Sequence, residues 1–281
     1  MSGVRLDERR SRVRDLVDTR PLTARSVLAS ALLGADEPSL PVADLIVIAS
    51  MFGISPGAAR TCLWRMVSNG ELTTDDASYT LAGRLLERRD RVDDAARRED
   101  PTTGPWDGTW ELAIVSQQRR SAADRLELRK AATALHLAEI REGVWIRPDN
   151  LDPERLPPSR AVLDRQCVHF HRAETDVPVD IARSLFPLDT WARDARRLTR
   201  AMDDERQTAD FAYQFALSIA VVRHLQLDPL LPDVLNPKDW PAKRLRSTYL
   251  RFDRAFKRGM NEEFTRHSGA TAPLTAVRAR R

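Results

Sequence analysis

Between Phe52 and Pro56 the chain reads Phe-Gly-Ile-Ser-Pro: a glycine turn, then a serine suited to cap a helix, then a proline at the first helical position. This punctuation joins two segments of helical periodicity, Val42 to Phe52 and Ser55 to Asn69, which predicts two helices meeting at a tight turn. An earlier helix is expected from Leu22, whose pattern continues through Ser26, Ala29, Leu32 and Leu33 to Gly34. After Asn69-Gly70, the stretches 71–74 and 78–81 read as two short strands around a polar turn, and Ala82 to Arg98 as a charged helix. Helix, glycine turn, helix and hairpin in that order describe a winged helix-turn-helix.

The third helix has two unlike sides. Ala59, Cys62, Leu63, Met66 and Val67 form an apolar stripe, whereas Arg60, Thr61, Trp64, Arg65 and Ser68 lie opposite without an acidic residue. Arginine can pair bidentately with guanine, threonine can meet a phosphate or a thymine methyl, and the helix start at Ser55 favours a phosphate. Arg25, Tyr79 and Arg84 complete the expected DNA-binding set as backbone contacts. The bland alternative is a three-helix packing unit with a solvated polar face. Bulk charge does not decide between them, because residues 1–105 carry 15 basic and 16 acidic side chains.

The remainder carries 30 basic and 25 acidic side chains within a total of 45 and 41, and the sequence pI near 9.4 permits an anionic partner. Two cysteines exclude a disulfide scaffold. The charged segment Ser2–Arg20 is unlike a secretory signal, and the longest apolar stretch, Phe211 to Val222, is interrupted by Gln214 and Ser218. A cytoplasmic protein without a membrane partner is therefore expected.

A turn-rich linker over 99–105 marks a boundary. Beyond it, strands are expected at 109–115, 143–147 and 167–173, with a helix over 121–140 and a Pro-rich loop before the last strand; this suggests a small ferredoxin-like sandwich with one strand missing or displaced. From Val179 the periodic segments are helical: 188–202, 208–227 and 242–264.

The residues quoted for the third helix, with Leu22-Thr23-Ala24-Arg25-Ser26-Val27 and Tyr79-Thr80-Leu81-Ala82-Gly83-Arg84, resemble PaaX-type transcriptional regulators. The resemblance continues through Trp106-Asp107-Gly108-Thr109-Trp110, Arg141 to Leu151, Arg223-His224, Asp228 to Pro232, Asp239-Trp240-Pro241 and Arg251-Phe252-Asp253. Trp64 departs from it, a small polar residue being expected there.

The resemblance implies an α+β protein with an N-terminal winged helix-turn-helix, a central ferredoxin-like domain of the Cas2 type and a helical C-terminal domain. The expected boundaries are a flexible arm at 1–20, the head at 21–98, the central domain at 106–178, the helical effector and dimerisation domain at 179–268, and a frayed tail at 269–281. It also implies a homodimeric repressor of a catabolic operon on pseudo-palindromic operator DNA. Release would follow binding of an aryl acyl-CoA, by family default phenylacetyl-CoA of phenylacetate catabolism. Trp145, Arg147, Arg223 and His224 combine aromatic, cationic and titratable groups and are the candidate effector ligands.

Three further constellations admit more than one reading each. Cys167, His169 and His171 share one strand face, but ligands spaced along one strand strain tetrahedral zinc, so a polar packing face competes and neither metal nor cofactor is expected. The basic run from Lys238 to Arg258 is either a solvated face or a cradle for CoA phosphates or DNA. The stripe Phe211, Phe215, Ile219 and Val222 is core, acyl pocket or dimer seam. An enzyme on the same scaffold, processing acyl-CoA or cleaving nucleic acid, is the alternative function. The first central strand ends Val115-Ser116-Gln117-Gln118 without a carboxylate, and no nucleophile–base pair or phosphate loop is recognisable, so no catalytic residue is expected.

Overall fold

The computed structural model describes residues 22–75, 77–96, 106–204 and 210–268, with side chains to residue 265. The expected arm at 1–20, the linker at 99–105 and the tail at 269–281 lie outside the described residues. The rest forms two compact units: residues up to 93 with 198–222 and 247 onward, and residues 94–197 with 223–246.

The first unit begins with α1 (Ala24–Gly34), fixed at its start by a reciprocal capping box between Thr23 and Ser26. β1 (Ser39–Pro41) leads into α2 (Val42–Met51), and α3 spans Pro56–Ser68. β2 (Leu72–Thr74) and β3 (Ser78–Leu81) form the expected hairpin. β1, which the sequence reading does not anticipate, adds to the other edge of β3, giving an antiparallel sheet of order β1-β3-β2. α4 (Gly83–Ala96) follows.

The three helices bury Leu28, Leu32, Leu45, Ala59, Leu63 and Met66 in one core with Leu72, Leu81 and Leu85. α9 (Phe211–Gln226) and α10 (Ala242–Ser268) complete that core through Phe215, Ala216, Ile219, Met260 and Phe264. Phe52, at the end of α2, meets Phe215 edge to face at 5.4 Å. The Phe211–Ile219 stripe is thus core of the first unit. The helical domain expected over 179–268 is instead shared out, with 198–222 and 247–268 in the first unit and 179–197 and 223–246 in the second. The physical reason is the core just described: α9 and α10 bury their apolar stripes against α1–α3.

The second unit holds β4 (Trp110–Val115), α5 (Ala122–Ala134), β5 (Ala138–Arg141), β6 (Val144–Pro148), α6 (Pro157–Gln166) and β7 (Cys167–Ala173). Its antiparallel sheet has the order β5-β6-β4-β7. Two βαβ halves with the first strands central make this a complete ferredoxin-like sandwich. No strand is missing: the helix expected to reach Ile140 stops at Ala134, and β5 follows. α5 and α6 cover one sheet face through Leu128, Leu135, Trp145 and Leu163. The opposite face packs Trp110 and Ile146 against Phe186 and Leu188, from α7 (Pro178–Leu185) and the start of α8 (Leu188–Asp203), with Leu231 and Leu235.

Candidate nucleic-acid interface

Gly53 turns the chain between α2 and α3 at φ +71, a conformation that other L-residues resist. Ser55 then caps α3, its hydroxyl accepting from the Ala58 amide at 3.3 Å, and Pro56 occupies the first turn. With the helix so phased, Ala59, Leu63 and Met66 are buried and Cys62 and Val67 half-buried. Arg60, Thr61, Trp64, Arg65 and Ser68 are all exposed, Trp64 by 67%. The two sides of α3 lie as the periodicity indicates.

Two hydroxyls on this side are already committed as donors. Thr61 donates to the Gly57 carbonyl at 2.9 Å and Ser68 to the Trp64 carbonyl at 3.1 Å, each one helical turn back. What they offer outward is an acceptor oxygen and, for Thr61, a methyl group.

Arg25 is not a free cation. Its Nε donates to Glu71 Oε2 at 3.0 Å and its Nη2 to Oε1, a bidentate pair tying α1 to the turn after α3. The hydrogen bond to Glu71 raises the Arg25 pKa. Cys62 marks the neighbourhood: burial raises its thiol pKa, while Arg25 and Arg65 act to lower it and Glu71 to raise it.

The hairpin is locked by Asp75, whose carboxylate accepts from the Ser78 and Ala77 amides at 2.8 and 3.2 Å. Those amides, Ser78 first, hold its pKa below the usual carboxylate value. Tyr79 is half-buried against the head core, and Arg84 is exposed in the first turn of α4. Of the eight predicted DNA contacts, Ser55, Arg60, Thr61, Trp64, Arg65 and Arg84 are open to solvent. Arg25 is engaged and Tyr79 partly covered. Glu71 is the participant the sequence reading misses, because nothing local to 71 signals a partner 46 residues earlier.

The four candidate effector ligands do not converge in this way. Trp145 and Arg147 share a face of β6 and are buried beneath α5. The Arg147 guanidinium has no exposure and donates to the carbonyls of Pro148 (2.9 Å), Leu135 (3.1 Å) and Leu230 (3.4 Å) and to Asn150 Oδ1 (2.6 Å). Burial brings its pKa down from the ordinary guanidinium value to about 9, which leaves it charged at neutral pH.

His224 belongs to a separate cluster. It stacks on Trp191 at 4.6 Å, bonds the Trp191 carbonyl at 3.0 Å and accepts the Trp191 indole N–H on its own carbonyl at 3.1 Å. Trp240 stacks on Trp191 at 4.6 Å. Burial lowers the His224 pKa, and Arg223 beside it is exposed.

A network unmarked in the sequence lies in the second unit. Arg246 pairs with Asp228 at 2.7 Å and donates to the Ala95 carbonyl; Arg155 pairs with Asp94. His136 lies among these groups, its pKa driven well below 6.5 by burial and by Arg147, Arg155 and Arg246.

On β7, His169 faces Asp164 (3.2 Å) and Glu111 (3.7 Å), and its ring stacks on His171 at 6.1 Å. Among the described residues no group of three or more His, Cys, Asp or Glu stands as a metal site. In the basic run, Lys257 is paired with Asp36 and Asp253, while Lys243, Arg244, Arg251, Arg254 and Arg258 are exposed. No described helix is long and apolar enough to cross a membrane.

Residues 23–85 match the family model described as PaaX-like protein, and residues 103–182 the one described as PaaX protein central Cas2-like domain. The second match falls on the ferredoxin-like sandwich of the second unit. Among solved structures, the chain is similar to the uncharacterized protein Rv0674 from Mycobacterium tuberculosis. Identity is 36% and the TM-score 0.64, over 86% of this chain and 98% of that one. No curated protein matches the chain. With two models of one family matched in order, and more than half of its residues between them, the chain belongs to the PaaX family.

Proposed function

We propose that the chain is a ligand-responsive transcriptional repressor of a catabolic operon. Its first unit serves as a winged helix-turn-helix head, with α3 in the DNA major groove and the β2–β3 hairpin as wing. Membership of the PaaX family points to transcriptional regulation. The observation that carries the reading is the outer side of α3, which is bare of acids and exposes Arg60, Thr61, Trp64 and Arg65 together. An acid-free face that includes two guanidinium groups suits the phosphate-lined major groove. A homodimer would set two such helices one helical turn, roughly 34–36 Å, apart on a pseudo-palindrome.

The effector, an aryl acyl-CoA with phenylacetyl-CoA as the family default, is assigned to the second unit. It would release DNA by binding more tightly to a state whose head spacing no longer fits. Arg223 is the exposed cation of the candidate set. The Trp145 indole N–H is buried in the core beneath α5 without an acceptor among the described residues. Arg147, whose donors are taken by internal oxygens, has a structural place beneath α5 rather than a ligand contact.

The direct test is a gel shift with genomic fragments that the purified protein retains. Arg60→Ala and Arg65→Ala should each weaken specific binding about tenfold or more, within the roughly 1–3 kcal/mol of a good base contact. Retention unchanged by both would remove the recognition-helix assignment. Release of retained DNA by phenylacetyl-CoA, and its loss in Arg223→Ala, tests the effector assignment.

A further inference from the structure

Thr61, Trp64, Arg65 and Ser68 stand at i, i+3, i+4 and i+7 on α3, and Arg60 lies one turn before Trp64. Helical side chains lean toward the N-terminus, so the Trp64 indole is directed over the turn that carries Arg60 and Thr61. The Thr61 hydroxyl proton is held by Gly57, which leaves that side chain's methyl as its outward apolar surface. The centre of the exposed face is therefore apolar, an indole beside a methyl, with guanidinium groups on either side. An indole 67% exposed on a soluble domain is a surface that awaits cover. The flanking cations and the missing acids make a duplex groove its complementary cover.

Within a major groove, the one apolar group on a base edge is the C5 methyl of thymine. We infer that Trp64 and the Thr61 methyl read thymine methyl groups, making the centre of each half-site thymine-dependent, while Arg60 and Arg65 meet guanines or phosphates beside it. This rests on α3 being the recognition helix. Trp64 would then be a specificity-determining residue whose contribution is apolar contact rather than hydrogen bonding.

The test begins with duplexes selected from a random pool by the full-length protein. In the winning site each thymine is replaced singly by deoxyuridine, which keeps the base pair and removes only the methyl. About fourfold weaker binding per lost methyl contact is expected, from the transfer of one methyl-sized group. The loss should occur at one or two positions per half-site and vanish in Trp64→Ala. Thr61→Ser, which keeps the hydroxyl and drops the methyl, should reduce it.

Because Trp64 is exposed, Trp64→Ala should keep the circular dichroism and thermal midpoint of the parent. Sequence-selective enrichment with no uracil effect at any position, or with an effect equal in Trp64→Ala, overturns the inference and leaves the DNA-binding reading intact. No enrichment of any duplex overturns both.

Discussion

Arg25 offers the sharpest quantitative test of the interface, because its half-exposed guanidinium is held by Glu71 beside α3. Glu71→Gln should release it. The substitution removes one negative charge and turns a bidentate ion pair into a weaker hydrogen bond from a cation to a neutral amide oxygen, leaving the Glu71 backbone bonds to Met66 and Ala82 in place. If the freed Arg25 engages one more phosphate, the slope of log K against log salt should steepen by about 0.9. Across a fourfold change in salt that is about a 3.5-fold change in affinity, with tighter binding at the low end. The structural cost should stay small, about 0.2–1 kcal/mol for an exposed pair.

Fluorescence anisotropy on a retained duplex at several salt concentrations measures the slope, and urea unfolding measures the cost. Arg25→Met in the Glu71→Gln background should cancel the gain. A Glu71→Gln protein of unchanged stability and unchanged slope would refute the idea that Arg25 stands at the phosphate backbone. Arg25 would then be only a brace between α1 and the turn after α3.

Three other perturbations probe the scaffold. Arg246→Met strands Asp228, whose side chain is 2% exposed, and should cost about 3–5 kcal/mol in urea unfolding, while adding Asp228→Asn recovers part of it; a loss under about 1 kcal/mol would deny the pair its role. His136 has a folded pKa well below 6.5, so the unfolded chain takes up its proton first as the medium is acidified. Stability should therefore hold above pH 6.5 and fall below it, by at most about 1.4 kcal/mol per pH unit for this group; His136→Gln should flatten the slope of the thermal midpoint between pH 6.5 and 5. Gly83 adopts φ +48, and a Cβ there would stand 2.7 Å from the Gly70 carbonyl oxygen, so Gly83→Ala should destabilise the head by about 1–3 kcal/mol in thermal unfolding.

What was legible in the sequence divides by the range of the signal. The turn at Gly53, the cap at Ser55 and the two sides of α3 are local, and 3.6-residue periodicity carries them outright. The boundary between α5 and β5 is local too but hidden. The helix ends at Ala134 with Leu135 as its cap, and the reversal is made by His136 at φ +58, where no glycine announces it. Leu135, Leu137 and Ile140 continue an apolar pattern across the break, so the segment reads as one helix and the sandwich as one strand short. α6 is masked in a similar way. Pro157 and Pro158 signal a loop by composition, yet they occupy the first turn of a helix whose preceding residue, Leu156, has no capping side chain.

Long-range partners were not legible, and they decide what the candidate residues do. Alternation along β6 puts Trp145 and Arg147 on one face, but it does not reveal that α5 closes over that face or that Leu230 brings a carbonyl to the guanidinium. An arginine chosen as a ligand for an acidic effector is thereby satisfied from within. The same limit governs α9. Phe211, Phe215 and Ile219 must be covered by something, and a periodic stripe says no more than that. The cover is the core of α1–α3, joined by Phe52 and by α10, where Gly259 leaves room for the Phe211 ring: a Cβ there would stand 2.9 Å from it. Residues more than 140 positions from the proposed recognition helix thus belong to the core that fixes its orientation. Substitutions along α9 and α10 should alter DNA binding through that core even where no side chain of theirs meets DNA.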